Sequence, residues 1–215
     1  MAGYVGEQAL SNGLSSDTSD RKGRGGDLIV SQLHGKYYES ARSGRLWYGS
    51  TASTGIALIV PATTGNHPTL WNPSGSGVNI SIVRVELGYV SGNNAPGPIE
   101  WALTQNTGSA IATGGPIATF TQVASLPGLI GGGGDSKGRW APAVNTYTAA
   151  PVFTRTASLN LFTGVAATAV APFTLFREYD GDLVMAPGNA LSLCTQTATT
   201  TSVFQVSVIW EEIPA

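Results

Sequence analysis

The side chains that could do chemistry in this chain are few and widely separated. His67 has no cysteine, carboxylate or second histidine within ten residues, and His34 has only Asp27 and Glu39. A metal centre needs such ligands clustered at short spacing. The sequence therefore predicts no metal site, and we interpret both histidines as ordinary surface or core residues.

Carboxylates and a glycine-rich loop are the other candidates. Glu178, Asp180 and Asp182 stand at alternate positions, so one strand face could offer them to Ca²⁺ or use a pair for acid–base work. Gly181 interrupts the run, which favours a solvated turn. The run Gly131–Gly134 and the Asp-Ser-Lys after it do not match the phosphate-binding G-x-x-x-x-G-K-[ST] pattern. We predict no bound cofactor.

Cys194 is the single cysteine, so an internal disulfide is excluded. We interpret it as a small strand residue and not as a nucleophile. The chain also has no G-x-S-x-G nucleophile elbow. The absence of any nucleophile–base set predicts that the protein is not an enzyme.

Composition limits the partners. The net charge of −2 indicates no basic surface that would bind nucleic acid. The sequence has no run of about 18 apolar residues, so it predicts no membrane span. The beginning of the chain has no apolar run of the kind found in secretory signals. Charged residues are only 11% of the chain, against about 25% in typical domains. Such a surface suits burial against other subunits; the alternative is a soluble monomer with this composition by chance.

The elements that would position any site are strands. Phe204, Val206, Val208 and Trp210 alternate with more polar residues, which predicts a strand with one buried face. With two apolar runs before it, this strand is predicted to end a β-meander over Asp182–Glu212.

The longest predicted strand, Val78–Val90, changes its alternation after Ile82, because Val83, Val85 and Leu87 continue one residue out of phase. A β-bulge would explain this; the alternative is a strand that passes from one sheet to the other.

About ten short strands between frequent turns predict an all-β fold, a jelly-roll-like antiparallel β-sandwich over residues 27–215. Gly55–Val60 is predicted as a continuous strand and Val152–Phe162 as a strand pair, while Gln32–Arg42 is predicted as one short helix. Residues 1–26 are polar and rich in glycine and serine, which predicts an extended, flexible N-terminal arm.

Aromatic residues supply the candidates for subunit contact. They are Tyr37, Tyr38, Trp47, Tyr48 and Trp140. Aromatic rings often anchor interfaces. The alternatives are core aromatics with polar tips at the surface and a platform on which sugars stack.

Three segments, Leu33–Thr51, Leu70–Gly92 and Gly181–Pro214, resemble parts of virion structural proteins of tailed bacteriophages. The resemblance implies a head decoration (cement) subunit that sits on the virion head surface after synthesis in the host bacterial cytoplasm. Its implied partners are the major capsid protein and copies of itself, as a homo-oligomer with a trimer favoured. The resemblance implies no catalytic residue in this chain. The alternative is a phage tail or receptor-binding β-sandwich module that binds host carbohydrate.

Overall fold

A computed structural model describes residues 35–92, 97–105, 117–132, 134–160, 174–196 and 202–215. The predicted arm at 1–26, the first residues of the predicted helix and His34 lie outside the described residues. Tyr37–Ala215 forms one compact unit.

Strands make up most of the described chain, with one short helix, α1 (Tyr38–Arg42). In chain order the strands are β1 (Leu46–Ser50), β2 (Ile56–Ala57), β3 (Thr64–Asn66), β4 (Thr69–Asn72), β5 (Val78–Ser91), β6 (Gly97–Gln105), β7 (Ile117–Thr119), β8 (Leu126–Pro127), β9 (Arg139–Ala141), β10 (Val144–Tyr147), β11 (Val152–Asn160), β12 (Thr174–Glu178), β13 (Val184–Met185), β14 (Asn189–Thr195) and β15 (Val203–Pro214).

Two antiparallel sheets face each other across the core. The large sheet has the order β12-β5-β15-β1-β8, with β13 also on β5 and β2 also on β15; the second sheet has the order β11-β6-β14-β4-β9. A third, small sheet has the order β3-β10-β7. The predicted all-β antiparallel sandwich is confirmed, while its jelly-roll description stays a prediction.

The last strand holds the large sheet together. β15 pairs with β5 from Val203 to Pro214 and with β1 on its other side. Phe204, Val206 and Val208 are buried, as is Trp210, so the predicted buried face is confirmed. Burial of each such side chain contributes about 1.5–3 kcal/mol before the loss of conformational entropy.

The predicted bulge in β5 is also confirmed. Ile209 of β15 faces Arg84, but the next residue, Trp210, faces Ile82, so Val83 is the extra residue. Because the bulge adds one residue to β5, the consecutive residues Ile82 and Val83 are both buried. Because β5 keeps β15 as its neighbour on both sides of the bulge, the alternative of a strand that changes sheets is wrong.

The predicted C-terminal meander is wrong. β13 and β15 both pair with β5 in the large sheet, whereas β14 between them pairs with β4 and β6 in the second sheet. The physical reason is that β5 and β1 already pair with the two sides of β15. β14 therefore forms its backbone hydrogen bonds with β4 and β6, where Leu191, Ser192 and Leu193 are all buried.

Three boundaries also differ from prediction. Only Ile56–Ala57 of the predicted strand Gly55–Val60 pairs in a sheet. The next residue, Leu58, is buried in the core. Pro61 follows it and has no N–H to donate to a neighbouring strand. Val152–Asn160 is one strand, not a pair. The helix covers only Tyr38–Arg42 of the described residues.

The close approach of the two sheets at Gly49 predicts a stability effect. A Cβ atom at Gly49 would lie 2.6 Å from Cγ of the buried Trp140. We expect Gly49→Ala to lower the free energy of unfolding by about 1–3 kcal/mol through overpacking. At Gly88, in β5, the nearest atom would be 3.9 Å away, so Gly88→Ala should leave stability within about 0.5 kcal/mol. Urea unfolding measures both variants, and equal losses would contradict the packing described here.

Candidate functional site

A buried polar cluster is the part of the molecule that most resembles a reactive centre. His67 precedes β4, Thr69 lies in β4, Tyr147 lies in β10, and Ser192 and Cys194 lie in β14. All of these side chains are buried. Pairing of β14 with β4 places Ser192 opposite Thr69, so sheet formation itself assembles the cluster.

Hydrogen bonds connect the cluster. Cys194 Sγ lies 3.3 Å from His67 Nδ1. Thr69 Oγ1 lies 2.6 Å from the Tyr147 hydroxyl and 3.0 Å from Ser192 Oγ. Asn145 donates to the carbonyl of His67 at 2.8 Å. The result is a polar network between the second sheet and the small sheet.

Burial keeps the Cys194–His67 pair neutral. Desolvation lowers the pKa of His67 from 6.5 to about 4, partly offset by a hydrogen bond with the backbone of Ala62. The same cause raises the pKa of the Cys194 thiol to about 12, and burial raises the pKa of Tyr147 to about 12. A nucleophilic cysteine needs a thiolate and a base that accepts its proton. Near pH 7 both groups of this pair are therefore neutral.

Sequence reasoning missed this pair. The sequence predicts no partner for His67, because no cysteine, carboxylate or second histidine lies within ten residues of it. Cys194 stands 127 positions away. No local signal marks a contact of that kind, because pairing of β14 with β4 creates it.

The three alternating carboxylates do not converge on one point. Arg84 binds Glu178 at 3.6 Å and Glu86 at 2.8 Å, and Arg155 binds Asp182. Asp180 and Asp182 are exposed in the turn after β12, in agreement with the interpretation as a solvated turn. Among the described residues, no three His, Cys, Asp or Glu side chains are grouped so that they could hold a metal ion.

The aromatic contact candidates divide into two groups. Trp47 and Trp140 are buried in the core, and Trp140 donates its indole N–H to the carbonyl of Ser50 at 3.1 Å. A side chain without exposed surface offers none to another subunit, so these two predictions are corrected to core residues. Tyr38 is exposed, and Tyr37 and Tyr48 are half-buried, so these three stay candidates.

The outer face of the large sheet is the surface that carries Tyr48. One cross-strand row runs Glu178, Arg84, Ile209, Tyr48, Leu126. The neighbouring row runs Phe176, Glu86, Ser207, Ser50. We call these nine residues the outer face. Leu126 and Phe176 are exposed, and the others are exposed or half-buried.

The two flanks of the sandwich differ. On the β8/β9 flank, Val123 bonds to the backbone of Trp140 in β9, and Leu126–Pro127 pairs with β1, so one segment joins both sheets. On the β11/β12 flank, Arg177 donates to the carbonyl of Thr156 at 2.8 Å, and Arg155 reaches Asp182. Arginine side chains make both of these contacts.

No family of known proteins matches this chain, and neither does a curated protein or a solved structure. Among the described residues, no helix has the length and hydrophobicity that crossing a membrane requires.

The pKa of His67 predicts a pH dependence of stability. Between about pH 6.5 and 4 the unfolded chain binds a proton at this histidine and the native protein does not, so stability falls as the pH falls through that window. The loss at this residue should reach about 3 kcal/mol. Urea unfolding at several pH values should show a shallower slope for His67→Gln than for wild type, with His34→Gln as control. Parallel slopes for wild type and His67→Gln would contradict the assignment.

The burial of Cys194 predicts an unreactive thiol. Iodoacetamide should label it in the native protein only at the rate of unfolding, because the thiol is covered and its pKa is about 12. In urea the same thiol should react at the rate of a free cysteine. Mass spectrometry follows the adduct over time, and rapid labelling of the folded protein would show that the cluster is open.

Proposed function

We propose that this chain is a virion structural protein, a head decoration (cement) subunit that binds the phage head lattice and stabilises it through subunit contacts. The observation that carries the proposal is the outer face, where Tyr48, Ile209 and Leu126 form a continuous apolar row on a sheet that the described residues leave uncovered. The partners are the major capsid protein and other copies of this chain.

The charges of the outer face support burial against protein. Arg84 already has two carboxylate partners, Glu86 and Glu178. Burying an unpaired charge is costly, whereas a paired one loses less. Ser50 and Ser207 likewise satisfy each other at 2.8 Å. Most polar groups of the outer face therefore already have hydrogen-bond or ion-pair partners before another protein binds to it.

The mechanism is energetic and not chemical. A partner that binds only the assembled shell stabilises it by mass action, by RT ln(1 + [L]/Kd). With an interface of the usual size, about 800 Å² on each side, each bound copy makes the shell harder to open. The buried Cys194–His67 pair takes no part, since it is neutral and covered.

The carbohydrate-binding alternative has less support from the described residues. Sugar stacking needs exposed aromatic rings, and Trp47 and Trp140 are both buried. Tyr48 on the outer face and Tyr38 in α1 remain as rings on which a sugar could stack, but Tyr48 is half-buried. A tail or receptor-binding role stays the second candidate.

Co-sedimentation with purified heads of a phage that encodes this chain tests the proposal. Wild type should sediment with the heads in a saturable ratio, and Tyr48→Lys should weaken binding at least tenfold, because it places an unpaired charge in the row. Val144→Lys is the control, since Val144 is an exposed apolar strand residue of the small sheet and lies outside the outer face. Failure of the folded wild type to sediment with heads would refute the proposed function.

A further inference from the structure

The strand β12 forms one edge of the large sheet, and a hydrogen bond at its end shows which of its backbone groups face inward. The N–H of Tyr179 donates to the carbonyl of Val83 in β5 at 2.8 Å. In an antiparallel ladder, the N–H and C=O groups of one residue point to the same side, and those of the next residue point to the opposite side. Arg177 and Leu175, which pair with β5 at alternate positions before Tyr179, therefore bond to β5 as well.

The N–H and C=O groups of the remaining residues of β12 point away from the sheet. These residues are Thr174, Phe176 and Glu178. No described residue forms a backbone hydrogen bond with any of them across this edge. A row of such unpaired groups is a template on which a strand of another chain can pair.

The other described edge strands are shorter or irregular. β2, β8 and β13 have two residues each, and β3, β7 and β9 have three each. β11 is longer, but its pairing with β6 shifts register at two places, and bulges of this kind make an edge harder to extend. β12 pairs with β5 over five residues without a shift. Within the described residues, it is therefore the edge that is best suited to strand addition.

A second copy of β12 is complementary to this edge. When two copies pair antiparallel about a two-fold axis through Phe176, the outward groups of Phe176 bond to those of Phe176 in the other copy. Thr174 then lies opposite Glu178 of the other copy, so every outward residue of β12 is paired on both copies. On the inner side of the strand, Leu175 lies opposite Arg177, so no two like charges face each other in this register.

The side chains of β12 support the same pairing. Phe176 is 65% exposed, and the two-fold axis places its ring beside the ring of the other copy, where aromatic pairs stabilise neighbouring strands. Glu178 already has an ion pair with Arg84 at 3.6 Å, so pairing buries no unpaired carboxylate. Arg177 donates to the carbonyl of Thr156 in β11 at 2.8 Å, so its charge is bound to the second sheet of its own copy.

We propose that this chain forms a two-fold dimer in which the β12 edges of two copies pair antiparallel about Phe176. The two large sheets become one continuous sheet, and their outer faces lie on the same side of it. Because both copies use the same patch, the contact closes at two copies and does not propagate. It gives a dimer and not the trimer that the resemblance implies. The inference goes beyond the proposed function and does not depend on it, although a doubled outer face would strengthen binding to a lattice.

The concentration dependence of the molecular mass tests the dimer. Only five residues of each copy pair, so the interface is smaller than the usual ~800 Å² on each side, and we expect a dissociation constant in the micromolar range. Sedimentation velocity should show monomers at low concentration and dimers at high concentration. Phe176→Pro should raise the dissociation constant at least about tenfold, because proline has no N–H to donate across the edge, whereas other residues of β12 make its bonds to β5.

Ile130→Pro is the matched control, since it also replaces an exposed apolar residue by proline. Ile130 is 86% exposed and follows β8, at the other edge of the large sheet. The N–H of Gly132 donates to the carbonyl of Leu129, and Gly131 has φ +83°. These features define a type II turn with Ile130 at its second position, where proline is favoured. This variant should dimerise as the wild type does, and circular dichroism confirms that both variants are folded.

Cysteine cross-linking tests the register. In the two-fold pair, the two Cα atoms of residue 176 lie about 5.5 Å apart, which is within the range of a disulfide. Two copies of Phe176→Cys should therefore join when oxidised glutathione takes up the electrons of the two thiols. Thr174→Cys should not join to itself, because the two copies of that residue lie about 13 Å apart, but it should join to Glu178→Cys in an equal mixture. The native Cys194 is buried and should not react.

Three results would overturn the inference. They are a wild type that is monomeric even at about 1 mM, far above a micromolar dissociation constant, a dimer that persists unchanged in Phe176→Pro, and a Thr174→Cys variant that joins to itself as fast as Phe176→Cys does. A monomer whose binding to phage heads is lost in Phe176→Pro but kept in Phe176→Ala would indicate that a strand of the capsid protein occupies the edge, which also refutes the dimer. A wild-type dimer that does not sediment with phage heads would refute only the proposed function.

Discussion

The burial of one face of β15 is the constraint on which the rest of the structure depends. This strand pairs with β5 on one side and β1 on the other, and it places Phe204, Val206, Val208 and Trp210 in the core. Because side chains alternate along a strand, a slip of one residue would turn all four outward. The fixed register of β15 aligns β5 with β1, and it thereby sets the rows of the outer face.

Desolvation decides what the molecule does with its reactive residues. Cys194 and His67 meet at a distance that suits a catalytic pair, but burial favours the neutral form of each. The same sheets that bury this pair leave apolar side chains such as Ile130 and Phe176 exposed. The Cys194–His67 pair is thus covered and neutral, whereas apolar side chains lie at the surface.

Much of the fold could be predicted because strand periodicity is local. The buried face of β15 and the bulge at Val83 both follow from the order of apolar residues. The partners of each strand could not be predicted, because pairing depends on residues far apart; β14 therefore joins the second sheet and not a meander, and Cys194 meets His67. The sequence also could not show whether Trp140 is buried or exposed, because its burial depends on where the opposite sheet lies.

The proposed function requires contact through the outer face. Hydrogen–deuterium exchange of backbone amides, measured on the free subunit and on the assembled particle, tests it most directly. We expect assembly to slow exchange in β1 and β12, which carry part of the outer face, while the interior strand β14 exchanges slowly in both states. Unchanged exchange in β1 and β12, with protection confined to the surroundings of His67, would contradict it.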